Sequence, residues 1–168
     1  MSRSMKEKFH YCDDIPRVAW LLTGTADNYS SNFICENCKF PHVRYVHELV
    51  HKITKNQVRV GCVCAQHLTQ DFATPRLREA SLKSRAGRRM RWPTLNWKRS
   101  QKRNLFLTKE GNVIVVKRAS SGAWTTSYTH SDNDNWIPVQ GFYNSPEEAE
   151  LAAFDVLHPV EPFRKDPA

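Results

Sequence analysis

Four residues with metal-binding side chains stand in two pairs of equal spacing. Cys35 and Cys38 are separated by two residues, 25 residues follow, and Cys64 and His67 are again separated by two. Thiolate and imidazole groups at this spacing are typical of a structural Zn²⁺ site, in which four ligands complete a tetrahedron. The sequence therefore predicts one structural Zn²⁺ ion per chain, bound by Cys35, Cys38, Cys64 and His67.

Three further residues compete with His67 for the fourth position. Cys62 lies two residues before Cys64 and is the first alternative. His47 and His51 are four residues apart in a β-prone segment, so they share one face if that strand continues past both. If they do not bind the ion, we expect them to be exposed polar groups of a hairpin.

The segments around these residues have the composition needed to position them. Residues 43–50 and 58–63 are rich in β-branched side chains and predict two strands, with a polar turn between them. A helix that begins near Cys64 would place Cys64 and His67 on one face, because residues three apart are neighbours on a helix. A cysteine knuckle, a hairpin and a helix that carries the last ligands together predict a treble-clef module.

One motif within residues 33–72 resembles a known group of proteins. Cys-x2-Cys, a hairpin and then Val60-Gly61-x-x-Cys64-Ala65 resemble small bacterial and phage treble-clef zinc proteins, which are mostly of unassigned function. The run Val43-Arg44-Tyr45-Val46-His47 is similar to a narrower set within that group. The resemblance implies a treble-clef fold with a structural Zn²⁺ ion, and a bacterial, phage or plasmid origin.

Composition and cysteine usage suggest the cellular setting. The chain has 168 residues, of which 40% are hydrophobic and 25% charged, as expected of a globular protein. It has no apolar run near the roughly 20 residues that a membrane helix needs, and its polar N-terminus is unlike a secretory signal. Five cysteines, four of them at metal-ligand spacing and Cys12 left over, favour a reducing compartment. We expect a cytoplasmic protein without a membrane partner.

Positive charge is concentrated in one block. Residues 76–103 contain eleven Lys and Arg and one acid, a net charge of +10, whereas the whole chain carries +8. Thr74-Pro75 predicts a helix start, and Trp92-Pro93 should end that helix and begin a basic linker. Such a block with interleaved tryptophans favours nucleic-acid binding. The predicted contact residues are Arg78, Arg85, Arg88, Arg89, Arg91, Trp92, Trp97, Lys98 and Arg99.

The remaining segments complete an α+β prediction. Helical spacing predicts a short helix over 15–23. Residues 105–108, 113–116 and 123–128 predict a three-stranded antiparallel sheet, followed by a short extended piece at 136–137. Ser145, Pro146 and Glu148 predict the start of a C-terminal helix that packs on this sheet. The predicted organisation is an N-terminal helix and treble-clef zinc module over 1–73, a basic helix and linker over 74–102, a β-β-β-α module over 103–158 and a tail over 159–168.

The C-terminal module has its own resemblance. Residues 142–149 and 152–154 resemble the closing segment of the ethylene-response-factor and integrase-type DNA-binding domains. That resemblance covers about residues 103–158 and implies that three strands lie in the major groove while the helix supports the sheet. The chain lacks the aromatic-Arg-Gly opening of the first strand, so no base-reading residue is transferred to it.

Three functions are compatible with these patterns. No nucleophile elbow, phosphate loop or dinucleotide fingerprint is present, so we expect a protein that is not an enzyme. We predict a zinc-containing protein that binds DNA or RNA with weak sequence preference. The first alternative is an adaptor or inhibitor whose basic block contacts an acidic protein. The second alternative is a metal-dependent nuclease, with His47 or His51 as the base.

Overall fold

A computed structural model describes residues 18–133 and 135–160. The chain divides into two compact units, and the boundary follows Ser84. Each unit contains its own antiparallel sheet, and the described residues also form three α-helices, so the structure is of the mixed α+β class. The first unit comprises residues 18–84 of the described chain, and the second begins at Arg85 and continues to Val160.

The first unit is built on a three-stranded sheet in the order β1-β2-β3. These strands are Trp20–Asp27, Tyr45–His51 and Gln57–Val60, and they are followed by helix α1 at Cys62–Thr69. Because β2 is the central strand, its alternate side chains turn into the core, and Leu49 is fully buried. Leu49 packs with Trp20, Val60, Ala65 and Leu68. The predicted hairpin and the helix that follows it are therefore present.

The predicted helix over 15–23 is wrong for the described part of that range. Residues 20–27 form strand β1, which pairs with β2 from Trp20 opposite His51 to Asp27 opposite Tyr45; residues 15–17 lie outside the described chain. Helical spacing of apolar residues is a local signal, whereas pairing with β2 supplies backbone hydrogen bonds along the whole strand. Trp20 packs in the core of this unit.

Helix α2 spans Thr74–Arg91 and agrees closely with the predicted basic helix. Its first turn is capped from the loop before it, because the Asp71 carboxylate accepts hydrogen bonds from the backbone nitrogens of Ala73 and Thr74, both at 2.9 Å. The helix ends in a 3₁₀ turn at Trp92–Thr94. Pro93 in that turn has no amide hydrogen to continue the helix.

The second unit contains a five-stranded sheet, not the three-stranded sheet that was predicted. Strands β4 to β8 are Lys98–Arg99, Leu105–Lys109, Asn112–Arg118, Trp124–His130 and Ile137–Tyr143, and each pairs with its neighbours in the chain. Strand β8 contains Pro138 and Gly141, which weaken the sequence signal for a strand. It lies at the edge of the sheet, where a residue without an amide hydrogen is tolerated.

Helix α3, at Pro146–Leu157, covers this sheet. The hydroxyl of Ser145 accepts a hydrogen bond from the Glu148 nitrogen at 3.1 Å, and Pro146 occupies the first helical position, as the capping pattern predicts. Phe154 is fully buried and meets the Trp92 ring edge-on, with 5.1 Å between centroids. Trp92 therefore belongs to the hydrophobic core of the second unit.

Candidate metal centre and basic surface

Three of the four predicted zinc ligands come together in the first unit. The sulfur atoms of Cys35, Cys38 and Cys64 lie within 4.8 Å of one another. A tetrahedral Zn²⁺ ion with bonds of about 2.3 Å holds its sulfur ligands roughly 3.8 Å apart, so the three thiols fit one ion after small adjustments. Cys35 and Cys64 are buried and Cys38 is partly exposed.

The backbone around Cys35 forms the expected knuckle. The Lys39 nitrogen donates to the Cys35 carbonyl oxygen, and the Cys35 nitrogen donates to the Phe40 carbonyl oxygen, both at 2.9 Å. The Gly61 nitrogen points at the Cys35 sulfur from 3.4 Å. This tight loop brings Cys35 and Cys38 close to Cys64 in the first turn of α1.

The contacts among these thiols favour one thiolate in the cluster, even without a bound metal ion. A hydrogen bond from the Cys64 thiol lowers the pKa of Cys35 to about 5, against the opposing effect of burial. The same contact, together with burial, raises the pKa of Cys64. Thiolates are the form of cysteine that binds metals, so this cluster has the chemistry of a soft cation site.

His67 does not join the three cysteines. Its ring packs edge-on against Phe72, with 5.5 Å between centroids. In the described residues, no fourth His, Cys, Asp or Glu completes the cluster. His51 is buried and uses its Nδ1 atom to accept a hydrogen bond from the Thr54 nitrogen at 3.1 Å. Cys62, the first alternative, belongs to another group.

That other group was not predicted from the sequence. His47 of β2, Cys62 of α1 and Glu79 of α2 have potential ligand atoms within 4.8 Å of one another. Burial lowers the pKa of His47 and raises the pKa of Cys62. Burial also opposes ionisation of Glu79, but Lys83, Cys62 and the His47 ring beside it outweigh burial and lower the pKa of that carboxyl. A sequence signal existed, because Glu79 is the one acid in the basic block.

The three-cysteine cluster and two members of the second group border one cavity of about 630 Å³ in the first unit. Cys35, Cys38 and Cys64 contribute to its wall, and so do Cys62 and Glu79. Much of the remaining wall is apolar, with Phe40, Val43, Tyr45 and Val63 among its residues. The three thiols that would hold an ion therefore border a space large enough for a small molecule.

Two of the predicted nucleic-acid contacts are instead engaged inside the second unit. The Asp155 carboxylate of α3 lies 2.7 Å from the Arg85 guanidinium and 2.9 Å from that of Arg89. The Arg85 side chain is only 13% exposed. A guanidinium held by a carboxylate in this way is not available to a phosphate without breaking that ion pair.

The two tryptophans of the basic block are packing residues. Trp92 is 4% exposed. Trp97 packs against the same core, and its ring nitrogen donates to the Trp92 carbonyl oxygen at 3.2 Å. Trp92 is therefore held in the core and not at the surface, and Trp97 is held in place from within the fold.

Four other predicted contacts lie on the surface of the second unit. Arg88 and Arg91 of α2 and Lys98 and Arg99 of β4 are exposed, and none forms a salt bridge with a carboxylate in the parts of the chain that the structure describes. Arg78, the remaining predicted contact, is half-buried in the first unit.

Comparison of the chain with known proteins identified no relative. No family model, curated protein or solved structure matches the chain significantly. Within residues 18–133 and 135–160, no helix combines the length and the apolar character that a membrane span requires.

Proposed function

We propose that the protein binds nucleic acid with weak sequence preference through Arg88, Arg91, Lys98 and Arg99. The observation that carries the proposal is that these four cations are exposed and lack carboxylate partners among the described residues. Exposed guanidinium and ammonium groups contact phosphates without reading bases. The bacterial, phage or plasmid origin and the cytoplasmic location stay predictions.

In this proposal the first unit is stabilised by Zn²⁺. Cys35, Cys38 and Cys64 would hold the ion, which when bound supplies a cross-link between the knuckle and α1. Thiolate ligands favour Zn²⁺ over harder divalent ions. The three sulfurs lie close enough for one ion, and that proximity is the support for the assignment. A closed structural site would require a fourth ligand.

The test of nucleic-acid binding is the salt dependence of affinity for random-sequence duplex DNA, single-stranded DNA and RNA. On duplex DNA each neutralised phosphate contributes about −0.9 to the slope of log affinity against log salt. Arg88→Ala with Arg91→Ala should therefore flatten the slope by roughly two units. Lys109→Ala with Lys117→Ala is the matched control, because it removes the same charge from exposed positions elsewhere in the second unit.

Two outcomes would contradict the proposal. Absence of binding to all three nucleic acids at low salt would favour the alternative, an adaptor or inhibitor that contacts an acidic protein. Equal effects of the two double variants would mean that net charge, and not this surface, governs binding. For the nuclease alternative, the candidate bases His47 and His51 are 0% and 6% exposed, so neither presents a base at the protein surface.

A further inference from the structure

A buried histidine in the first unit has a nitrogen atom without a partner. His47 is 0% exposed, and its Nε2 atom forms no hydrogen bond. The Glu79 carboxylate lies close by, with its Oε2 atom 3.6 Å away. This separation exceeds a normal hydrogen bond. A buried polar atom without a partner is costly, so something else is expected to bind there.

The contact made by Nδ1, the other ring nitrogen of His47, determines which nitrogen can bind a metal ion. Nδ1 of His47 lies 3.2 Å from the Thr25 hydroxyl oxygen. If Nδ1 carries the proton and donates it to Thr25, Nε2 presents a lone pair toward Cys62 and Glu79. A histidine whose second nitrogen is held by a hydrogen bond is the usual arrangement of a metal ligand.

The other two members of the group have supporting partners as well. The Gln66 side-chain nitrogen donates to the Cys62 sulfur at 3.2 Å. Lys83 forms an ion pair with one oxygen of Glu79, which leaves the other oxygen toward His47. Such outer contacts orient ligands and stabilise their charged forms. Three side chains from three separate elements are therefore both assembled and oriented.

We propose that His47, Cys62 and Glu79 form a second metal site, which takes a divalent transition-metal ion of the Zn²⁺ class. Imidazole nitrogen, thiolate sulfur and carboxylate oxygen are the three ligand types that zinc uses in proteins. Three protein ligands leave one coordination position for water or a small molecule. Cys62 and Glu79 border the cavity described above, so that position is supplied from the cavity. The site is independent of the proposed nucleic-acid surface.

The experiment is a metal count on the full-length protein. The protein is loaded with Zn²⁺, dialysed, and its mass is measured under native conditions. Wild type should hold two ions, whereas Cys62→Ser and Glu79→Gln should each hold one. Glu48→Gln is the matched control, because Glu48 is an exposed carboxylate of β2 outside the group, and it should retain two.

A milder variant separates binding from folding. Thr25→Val preserves the shape of the side chain but removes the hydroxyl that holds His47. It should weaken the second ion by about 10- to 100-fold in chelator competition while the first ion is unaffected. Loading with Co²⁺ provides a spectroscopic check, because the second ion has one thiolate ligand and should give a weaker charge-transfer band than the first.

Two results would overturn the proposal. One is a wild-type protein that holds a single ion, and the other is a second ion that persists in both Cys62→Ser and Glu79→Gln. If Cys62→Ser loses both ions because it unfolds, as circular dichroism would show, the proposal is tested with the folded Glu79→Gln and Thr25→Val variants. The metal count does not depend on the proposed function, because the variants of Arg88 and Arg91 that test nucleic-acid binding leave both groups of metal ligands intact.

Discussion

The Asp155 carboxylate lies 2.7 Å from the Arg85 guanidinium, and the same carboxylate also accepts hydrogen bonds from Arg89. This relationship joins the C-terminal part of α2 to α3 within the second unit. It divides the arginines of the basic block into two groups, because Arg85 and Arg89 stabilise the fold while Arg88 remains exposed.

The first prediction separates these two roles. Arg85→Ala with Arg89→Ala should lower the free energy of unfolding by about 1–2 kcal/mol, because it removes the charged hydrogen bonds to a partly buried carboxylate. Arg88→Ala should leave stability within about 0.5 kcal/mol of wild type. Urea unfolding followed by circular dichroism measures both. Equal stability of the two variants would show that the ion pairs contribute nothing.

The same division changes the expected effect on nucleic-acid binding. From sequence alone, replacement of Arg85, Arg88 and Arg89 by alanine should flatten the salt slope by two to three units if all three touch phosphate. With Arg85 and Arg89 bound to Asp155, we expect a change of about one unit, from Arg88.

The second prediction concerns pH. Glu150 of α3 is 4% exposed, and burial, with a smaller contribution from Glu147, raises the pKa of its carboxyl to about 7. The unfolded chain releases this proton near pH 4.3, as an ordinary glutamate does, so between these values the folded state binds more protons. The contribution to stability is full below about pH 4 and is lost as the pH rises toward 7, up to about 4 kcal/mol.

Glu150→Gln should abolish that loss. At pH 8 we expect the variant to be more stable than wild type, and the difference should vanish near pH 4. Thermal unfolding across this pH range measures the effect. Glu147→Gln is the control, because Glu147 is exposed and should reduce the pH dependence only slightly. Parallel stability curves for wild type and Glu150→Gln would contradict the assigned pKa.

The third prediction tests the three-thiol cluster. Cys38→Ser should abolish metal binding at that site and unfold the first unit, because metal binding supplies much of the folding free energy of such modules. Cys64→Ser should behave in the same way, whereas Cys62→Ser should retain the first ion and most of the structure. Zinc content and amide exchange in β1 to β3 are the measurements. If Cys62→Ser loses more zinc and more amide protection than Cys64→Ser, Cys62 and not Cys64 is the ligand of the first ion.

The fourth prediction compares a glycine that has a positive φ with a glycine inside a helix. Gly111 has φ of +74°, and a Cβ atom there would lie 3.2 Å from the His130 ring nitrogen, so Gly111→Ala should cost about 1–2 kcal/mol. Gly87 lies inside α2, where a Cβ atom would meet only the end of the Arg91 side chain at 3.6 Å. Gly87→Ala should therefore stabilise the helix by up to about 1 kcal/mol. Chemical unfolding of both variants is the test, and loss of stability in both would contradict it.

The parts of the fold that the sequence predicted are those governed by local chemistry. Helix α3 was predicted from Ser145, Pro146 and Glu148, whose capping contacts act within one turn. The turn between β5 and β6 is equally local, because Gly111 supplies the positive φ that it needs. The parts that were not predicted depend on distant partners: β1 is a strand because β2 lies beside it, and β8 pairs with β7 despite containing Pro138.

The same distinction explains the candidate sites. Cys35, Cys38 and Cys64 were predicted from spacing, because a knuckle and a helix start are local structures. His47 and Glu79 are 32 residues apart, and only the packing of α2 in the first unit reveals that they meet. Side-chain pairing of Arg85 with Asp155 is equally invisible in the sequence, so charge density alone could not show which arginines are already paired with a carboxylate.

The simple strand order has a consequence for how the protein is made. In both sheets, strands that are consecutive in the chain are neighbours in space, so most pairing joins residues of modest sequence separation. Low separation reduces the loop-closure entropy that precedes each contact, and it favours fast folding. During synthesis the second sheet can add one hairpin at a time as the chain emerges, without waiting for a distant strand. Helix α3 follows all five strands in the chain, so the sheet that it covers can be complete before α3 docks.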